Sequence, residues 1–322
     1  MPKNNIAMRL ILCLSLWLCA GCSAGFLGLA PAGDRQEYAQ ARKLYEQGAY
    51  QAAITELQDY IYKTKNVKRR EVRAYRLLGL SYEKIGQLSK ALEIYLEALE
   101  FHPDNVPLLL EAARLYQQTN LTNRSIALYE RALQEEPNQP EALAGQAFNY
   151  ATLGFYSKAR QFYDRFFELN PTATPQYRAR YANTFLEQRN YTQAFIHITM
   201  ALAQENQNPD FWLLSAQARR GLHQPQQALE DLQTAILLAP QRIDLLGKKA
   251  LWLYEMGNDE ASMLTTKEML QINPQSQLAL WVQSSIAQKQ HHPQEAQRLL
   301  RQIKQINPDS FIGRLATKTL EL

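Results

Sequence analysis

The stretch VRAYRLLGLSYEKIGQLSKALEIYLEALEFHPDN, residues 72–105, decides the fold. Tyr75, Leu78, Gly79 and Tyr82 fall at i, i+3, i+4 and i+7, the spacing of one face of an α-helix. Gly86 follows, where a chain can take the left-handed conformation that ends a helix. Ala91, Tyr95 and Ala98 then mark a second helical face, and Pro103 stops it. The stretch is therefore a helix, a tight turn and a second helix. The closing proline recurs at Pro137, Pro171, Pro240, Pro274 and Pro308, in steps of 34, 34, 69, 34 and 34 residues. The step of 69 holds one more unit, whose turn carries Asn206 instead of proline. A fixed period of this length predicts a stack of identical helix pairs, because no single pair can bury its apolar face alone.

The marked residues of 72–105 stand at positions 4, 7, 8, 11, 15, 20, 24, 27 and 32 of the period, and this resembles the tetratricopeptide repeat. Ala113, Tyr116, Tyr129 and Ala132 keep the pattern, as do Ala147, Tyr150, Gly154, Ala159 and Tyr163, with thinner copies to Ala296 and a degenerate first copy around Ala41, Gly48, Ala53 and Leu57. The resemblance implies an all-α, right-handed superhelical solenoid of about eight helix-turn-helix repeats over residues 34–308, closed by a capping helix over 309–322. In that cap, Asp309 is a plausible N-cap, and Phe311, Ile312 and Leu315 form the packed side. Small residues at positions 8, 20 and 27 let paired helices approach. Gly86, Asn120, Gly154 and Gly257 take the left-handed turn, and Pro225 and Pro293 open second helices. The tyrosines at packing positions read as core.

The N-terminus follows different rules. Lys3 and Arg9 precede an apolar run, LILCLSLWLCA, and small residues follow it. That order is a signal peptide over residues 1–21. The stretch Cys19-Ala20-Gly21-Cys22 resembles the lipobox of bacterial lipoproteins, with Cys19 where leucine is usual. The resemblance implies diacylation of Cys22, a tether over 22–33 and, with Ser23 next, an outer-membrane lipoprotein facing the periplasm. Two alternatives stay open: an uncleaved anchor over residues 10–29, or cleavage to a soluble periplasmic form. A basic stretch, Lys63, Lys65, Lys68, Arg69, Arg70 and Arg73, is either a headgroup contact or a solvated loop.

Composition limits the function. With 35 basic and 31 acidic residues and a net charge of +4, nucleic acid is not the expected partner. The sequence has no phosphate-cradling glycine loop, no HExxH helix and no nucleophile elbow. No catalytic residue, cofactor or metal site is expected, and His291 and His292 read as a solvated turn. What remains is the concave face that the family forms from positions 2, 5, 9, 12 and 13 of each first helix. Transferred here, that register selects Arg42, Arg76, Lys84, Arg114, Phe148, Leu186, Leu213, Arg220, Tyr254 and Trp281 as a partner-binding groove, basic in the early repeats. No repeat pairs Lys at position 5 with Asn at position 9, so capture of a chaperone C-terminus is not expected. The resemblance implies a non-enzymatic scaffold for protein partners at the bacterial envelope, of the kind that assists pilus, secretion or other envelope assembly. The alternative is a glycan-binding component of polysaccharide export, using Tyr38, Tyr45, Phe148, Tyr254 and Trp281.

Overall fold

The computed structural model describes residues 32–63 and 71–321. The expected signal segment, Cys22 with most of its tether, and Lys65, Lys68, Arg69 and Arg70 lie outside the described residues. Among the described residues there are seventeen helices and no strand. Sixteen of them form eight consecutive pairs: α1 (Ala32–Glu46) with α2 (Tyr50–Lys63), α3 (Val72–Lys84) with α4 (Leu88–Phe101), and α5 (Val106–Gln118) with α6 (Thr122–Glu135). Then come α7 (Pro140–Thr152) with α8 (Tyr156–Leu169), α9 (Pro175–Glu187) with α10 (Tyr191–Gln204), α11 (Pro209–Gly221) with α12 (Pro225–Leu238), α13 (Ile243–Glu255) with α14 (Asp259–Ile272), and α15 (Gln277–Lys289) with α16 (Pro293–Ile306). The last helix, α17 (Phe311–Leu320), packs on α16. The chain divides after Pro137 into two compact units, α1–α6 and α7–α17. Within each unit, every second helix also packs on the first helix of the next pair.

The pairing rests on small side chains. Ala91, Ala98, Ala113, Ala132, Ala147, Ala159, Ala182 and Ala194 are all fully buried. Where serine replaces alanine at position 20, its hydroxyl reaches the backbone of the facing helix: Ser125 Oγ donates to the Ala113 carbonyl and Ser262 Oγ to the Ala250 carbonyl, each at 2.8 Å. Only helices in near-backbone contact allow this. At Gly79 a Cβ would overlap the ring of Tyr95. That ring is fully buried, and its hydroxyl donates to Glu83 at 2.9 Å. Tyr75, Tyr82, Tyr116, Tyr129, Tyr150 and Tyr163 are buried too, as expected of core residues.

The turns inside the pairs are one conformation with changing residues. Gly48, Gly86, Gly154 and Gly257 have φ between 78° and 80° or close below it, at 76° for Gly86. Asn120, Arg189, His223 and His291 occupy the same place with φ of 58°, 56°, 60° and 60°. The sequence pointed to the glycines and Asn120. Arg189, His223 and His291 carry no such mark, yet their hydrogen bonds match: Gln87 N donates to the Tyr82 carbonyl at 2.9 Å, and Asn190 N to the Phe185 carbonyl at 2.8 Å. Packing of the helices on either side imposes the turn and outweighs the left-handed strain of a side-chain-bearing residue, about 1 kcal/mol. Pro225 and Pro293 open α12 and α16 as expected.

Two details of the cap differ from expectation. Ser310, not Asp309, is the N-cap, its Oγ accepting from Gly313 N at 2.8 Å. Phe311, expected on the packed side, is 70% exposed, and Gly313 and Ala316 are the buried residues of α17. The reason is clearance: a Cβ on Gly313 would run into the Asn307 carbonyl, so the helix seats through its smallest residues.

The fifth repeat places a charge in the core. Arg178 stands at position 4, where the other repeats carry residues such as Tyr75, Leu109, Leu143 and Leu246. It is buried, with its guanidinium 3.7 Å over the Phe167 ring and Nη2 donating to the Pro171 carbonyl at 3.3 Å. Beside it Tyr181, hydrogen-bonded to Asp164, lies against His197 with ring centroids 4.4 Å apart. His197 in turn stacks on Phe185 at 5.4 Å, nearly parallel. Burial, with the nearby Arg178 charge, lowers the His197 pKa from 6.5 to about 4, against the opposing Asp164 charge.

Two measurements follow. Gly86→Ala meets open space, so it reports only backbone strain and lowers unfolding stability by about 1 kcal/mol. Gly79→Ala must displace Tyr95 and costs more, about 1–3 kcal/mol of overpacking, read as a larger drop in the urea midpoint. His197 is neutral in the fold, while the unfolded chain takes a proton below pH 6.5, so its contribution to stability is lost as pH falls from 6.5 toward 4. His197→Phe keeps the stack on Phe185 and flattens the melting temperature against pH over that window; an unchanged slope contradicts the assignment.

Candidate functional site

The inner face of the second unit is built from first helices. Each starts at a fixed point: Pro140, Pro175 and Pro209 open α7, α9 and α11. Gln139 caps α7 by accepting from Glu141 N at 2.6 Å, and Asn208 caps α11 by accepting from Asp210 N at 3.0 Å. The left-handed turns at Gly154, Arg189 and His223 end them. Because the starts and stops recur, the same positions face the same way in each helix.

Two adjoining clefts run across this face. The first, about 580 Å³, has an apolar floor from Phe148, Ala151, Ala179, Phe211 and Leu214, with Asn183, Glu187 and Asp210 at its rim. The second, also about 580 Å³, is bounded by Leu186, Arg220, Lys248 and Trp252. Asn183 and Glu187 line both clefts and form the shared wall. Arg180 lies 4.9 Å over the Phe148 ring, and Arg220 lies 4.8 Å over Trp252 while pairing with Glu255. Asp210 pairs with Arg242 at 2.5 Å, and Arg242 also holds Asp244 at 2.7 Å. The hydrogen bond from Arg242 keeps the Asp244 carboxyl below its usual range. Among the described residues, no group of three His, Cys, Asp or Glu side chains is arranged to hold a metal ion, and no helix is long and apolar enough to cross a membrane.

The ten residues expected in one groove divide between the two units. Arg42, Arg76, Lys84 and Arg114 belong to the first unit, the rest to the second. The early basic face is largely neutralised from within. Arg42 pairs with Glu46 at 2.8 Å and Arg76 with Glu111 at 3.2 Å. Arg114 bridges Glu83 at 2.5 Å and Glu111 at 2.9 Å, and Lys84 is exposed with no such pair among the described residues. Burial alone would lower the Arg114 pKa, but the hydrogen bonds to Glu83 and Glu111 outweigh it and hold the guanidinium charged. In the second unit, Phe148, Leu186 and Arg220 line the clefts. Leu213 packs instead against the core around Leu232 and Leu245, and Trp281 against the core around Leu299 and Ile303. Tyr254 carries the Lys289 ammonium 5.7 Å from its ring.

Position 6 is the place that the transferred register leaves out. It supplies Glu111, Arg180, Leu214 and Lys248. Its signal was available: positions 2, 6, 9 and 13 are spaced by four, three and four residues and share one helix face.

Comparison with known proteins agrees with this architecture. Two models of the tetratricopeptide repeat match, over residues 38–106 and 106–139. Photosystem I assembly protein Ycf3 of Synechococcus is 34% identical over 92 residues, which cover 28% of this chain and 53% of the relative. Tetratricopeptide repeat protein 8 of Caenorhabditis elegans is 30% identical over 122 residues, covering 38% of this chain and 23% of the relative. The chain thus spans about half or less of these curated relatives. Among solved structures, a tetratricopeptide repeat protein from Parabacteroides merdae is similar with a TM-score of 0.57 and 16% identity, covering 89% of this chain and 97% of that one. PilF of Pseudomonas aeruginosa is similar with a TM-score of 0.54 and 17% identity, covering 66% and 97%. At these identities the likeness is one of fold.

The Arg114 bridge makes a mutational prediction. Arg114→Glu sets a third carboxylate between Glu83 and Glu111 and lowers stability by about 2–3 kcal/mol, whereas the exposed Lys84→Glu changes it by less than about 0.5 kcal/mol. Urea unfolding monitored by circular dichroism measures both; equal effects would mean that the bridge does not hold the helices.

Proposed function

The chain is a tetratricopeptide-repeat protein, and from that premise we propose that it is a scaffold without chemistry of its own, which holds an extended segment of a partner protein along α7, α9, α11 and α13. Tetratricopeptide-repeat proteins generally mediate protein–protein contact and assembly. The observation that carries the reading here is the pair of continuous clefts, open along their length and alternating apolar floor with polar rim. An extended peptide presents side chains to alternate sides at about 3.3 Å per residue, and such a trough suits it better than it suits a compact small molecule.

The glycan alternative asks for aromatic faces left free for sugar rings. Each candidate already has company. Tyr38 has the Arg73 guanidinium 4.7 Å over it and Tyr60 at 6.2 Å, and Tyr45 meets Tyr50 at 5.4 Å. Phe148 carries Arg180, Tyr254 carries Lys289, and Trp281 packs against a core cluster. A protein partner is the better fit.

The proposal extends to place. Lipid on Cys22 would hold the scaffold at the periplasmic side of a bacterial outer membrane, where two or more acyl chains give stable anchoring. The support is the lipobox-like Cys19-Ala20-Gly21-Cys22 after an apolar run. A role in assembling a pilus, secretion or other envelope complex follows from joining such an anchor to a peptide-holding array.

The two parts are tested separately. Labelled palmitate is expected on the wild-type chain and absent from Cys22→Ser; label that persists on the variant overturns the anchor. Asn183 is exposed and stands between the clefts, so Asn183→Trp obstructs both without entering the core. Crosslinked partners recovered from cells by the wild type are expected to be lost with Asn183→Trp at unchanged melting temperature. Undiminished recovery places the partner elsewhere.

A further inference from the structure

The charges of the two clefts specify more than an apolar trough. Two charged side chains there are paired within the chain, Arg220 with Glu255 and Asp210 with Arg242, and Arg180 lies over the Phe148 and Tyr177 rings at 4.9 and 6.0 Å. Glu187, exposed on the shared wall, and Lys248, partly exposed in the second cleft, have neither a ring contact nor a hydrogen-bond or ion-pair partner among the described residues. They sit on opposite sides of one cleft, Glu187 at the end of α9 and Lys248 on α13, while the apolar floor lies beyond Glu187 on α7, α9 and α11. The order along the trough is therefore apolar floor, free carboxylate, free ammonium.

We propose that the partner segment is an extended peptide carrying, in this order, a large aliphatic or aromatic residue, a lysine or arginine, and an aspartate or glutamate. The first fills the cleft over Ala179 and Leu214, the second pairs with Glu187, and the third with Lys248. This inference rests on the peptide-holding reading above and adds the chemistry of the peptide. Complementary charge works here chiefly as a selector. A like charge opposite Glu187 or Lys248 is disfavoured, and the matched pairs, being partly solvated, add modest affinity. In the first unit Arg42, Arg76 and Arg114 already have carboxylate partners, so those charges add little selection there.

The test pans a display library of random nonapeptides against the full-length chain in detergent. Nine extended residues span about 30 Å. The selected peptides are expected to share an apolar residue followed by a basic and then an acidic one. A synthetic peptide of that consensus binds about threefold more weakly to Glu187→Ala, the size of an exposed ion pair. Panning against Glu187→Lys exchanges the basic preference for an acidic one. Peptides that lose binding to Asn183→Trp but show no basic preference, or that bind Glu187→Lys unchanged, overturn the charge assignment and leave the peptide trough standing. If no selected peptide responds to Asn183→Trp, the trough itself is overturned, and this inference with it.

Discussion

The near-backbone contact between the two helices of a pair is the constraint on which everything else depends. It is visible where Ser125 and Ser262 reach the carbonyls of Ala113 and Ala250, and where Gly79 leaves no gap beneath Tyr95. Helices this close cannot drift or rotate, because interiors are packed like crystals and tolerate no spare methyl group. The turn between them is then dictated, whether the residue in it is Gly86 or His223. Proline and capping residues set where the next first helix starts. Repetition of one contact therefore becomes repetition of one surface, and positions 2, 6, 9 and 13 of α9 and α11 all line the clefts.

The same constraint explains why the surface has specificity to offer. Side chains at packing positions are committed to the core, so the trough is free to vary. Phe148 and Leu214 make it apolar near α7 and α11, and Glu187 and Lys248 leave it polar near α13. Arg220 and Arg180 lie over rings, and the Arg220 charge is matched by Glu255. The fifth repeat departs from the pattern at Arg178, whose charge is held over Phe167 with His197 kept neutral nearby. That repeat trades apolar packing for a stacked polar cluster, and its first helix, α9, also carries Asn183 and Glu187.

Charge shows where sequence reading loses its grip. Summing basic residues along a presumed groove treats each as a free ion. In the folded chain Arg76 and Arg114 converge on Glu111, a residue at a position the sum never visited. Ion pairs between repeats join residues about 35 apart in the chain, as Arg76 with Glu111 and Arg220 with Glu255 do. A linear count cannot see them, and only the stacking of successive helices brings them together.

The sequence by itself determined the helix pair, its number of copies, the alanine and tyrosine core and most of the turns, because each is written locally: a period of 34, an apolar face at i, i+3 and i+4, a glycine or proline at a boundary. It also singled out Phe148, Leu186 and Arg220, which do line the clefts. Only the tertiary structure decided that Leu213 and Trp281 pack against the core, that Phe311 faces outward while Gly313 seats the cap, and that Glu187 and Lys248 have no ion-pair partner among the described residues. The physical reason is range. Helix and turn preferences act over a few residues, whereas burial, clearance and charge pairing depend on which helices the packing brings side by side.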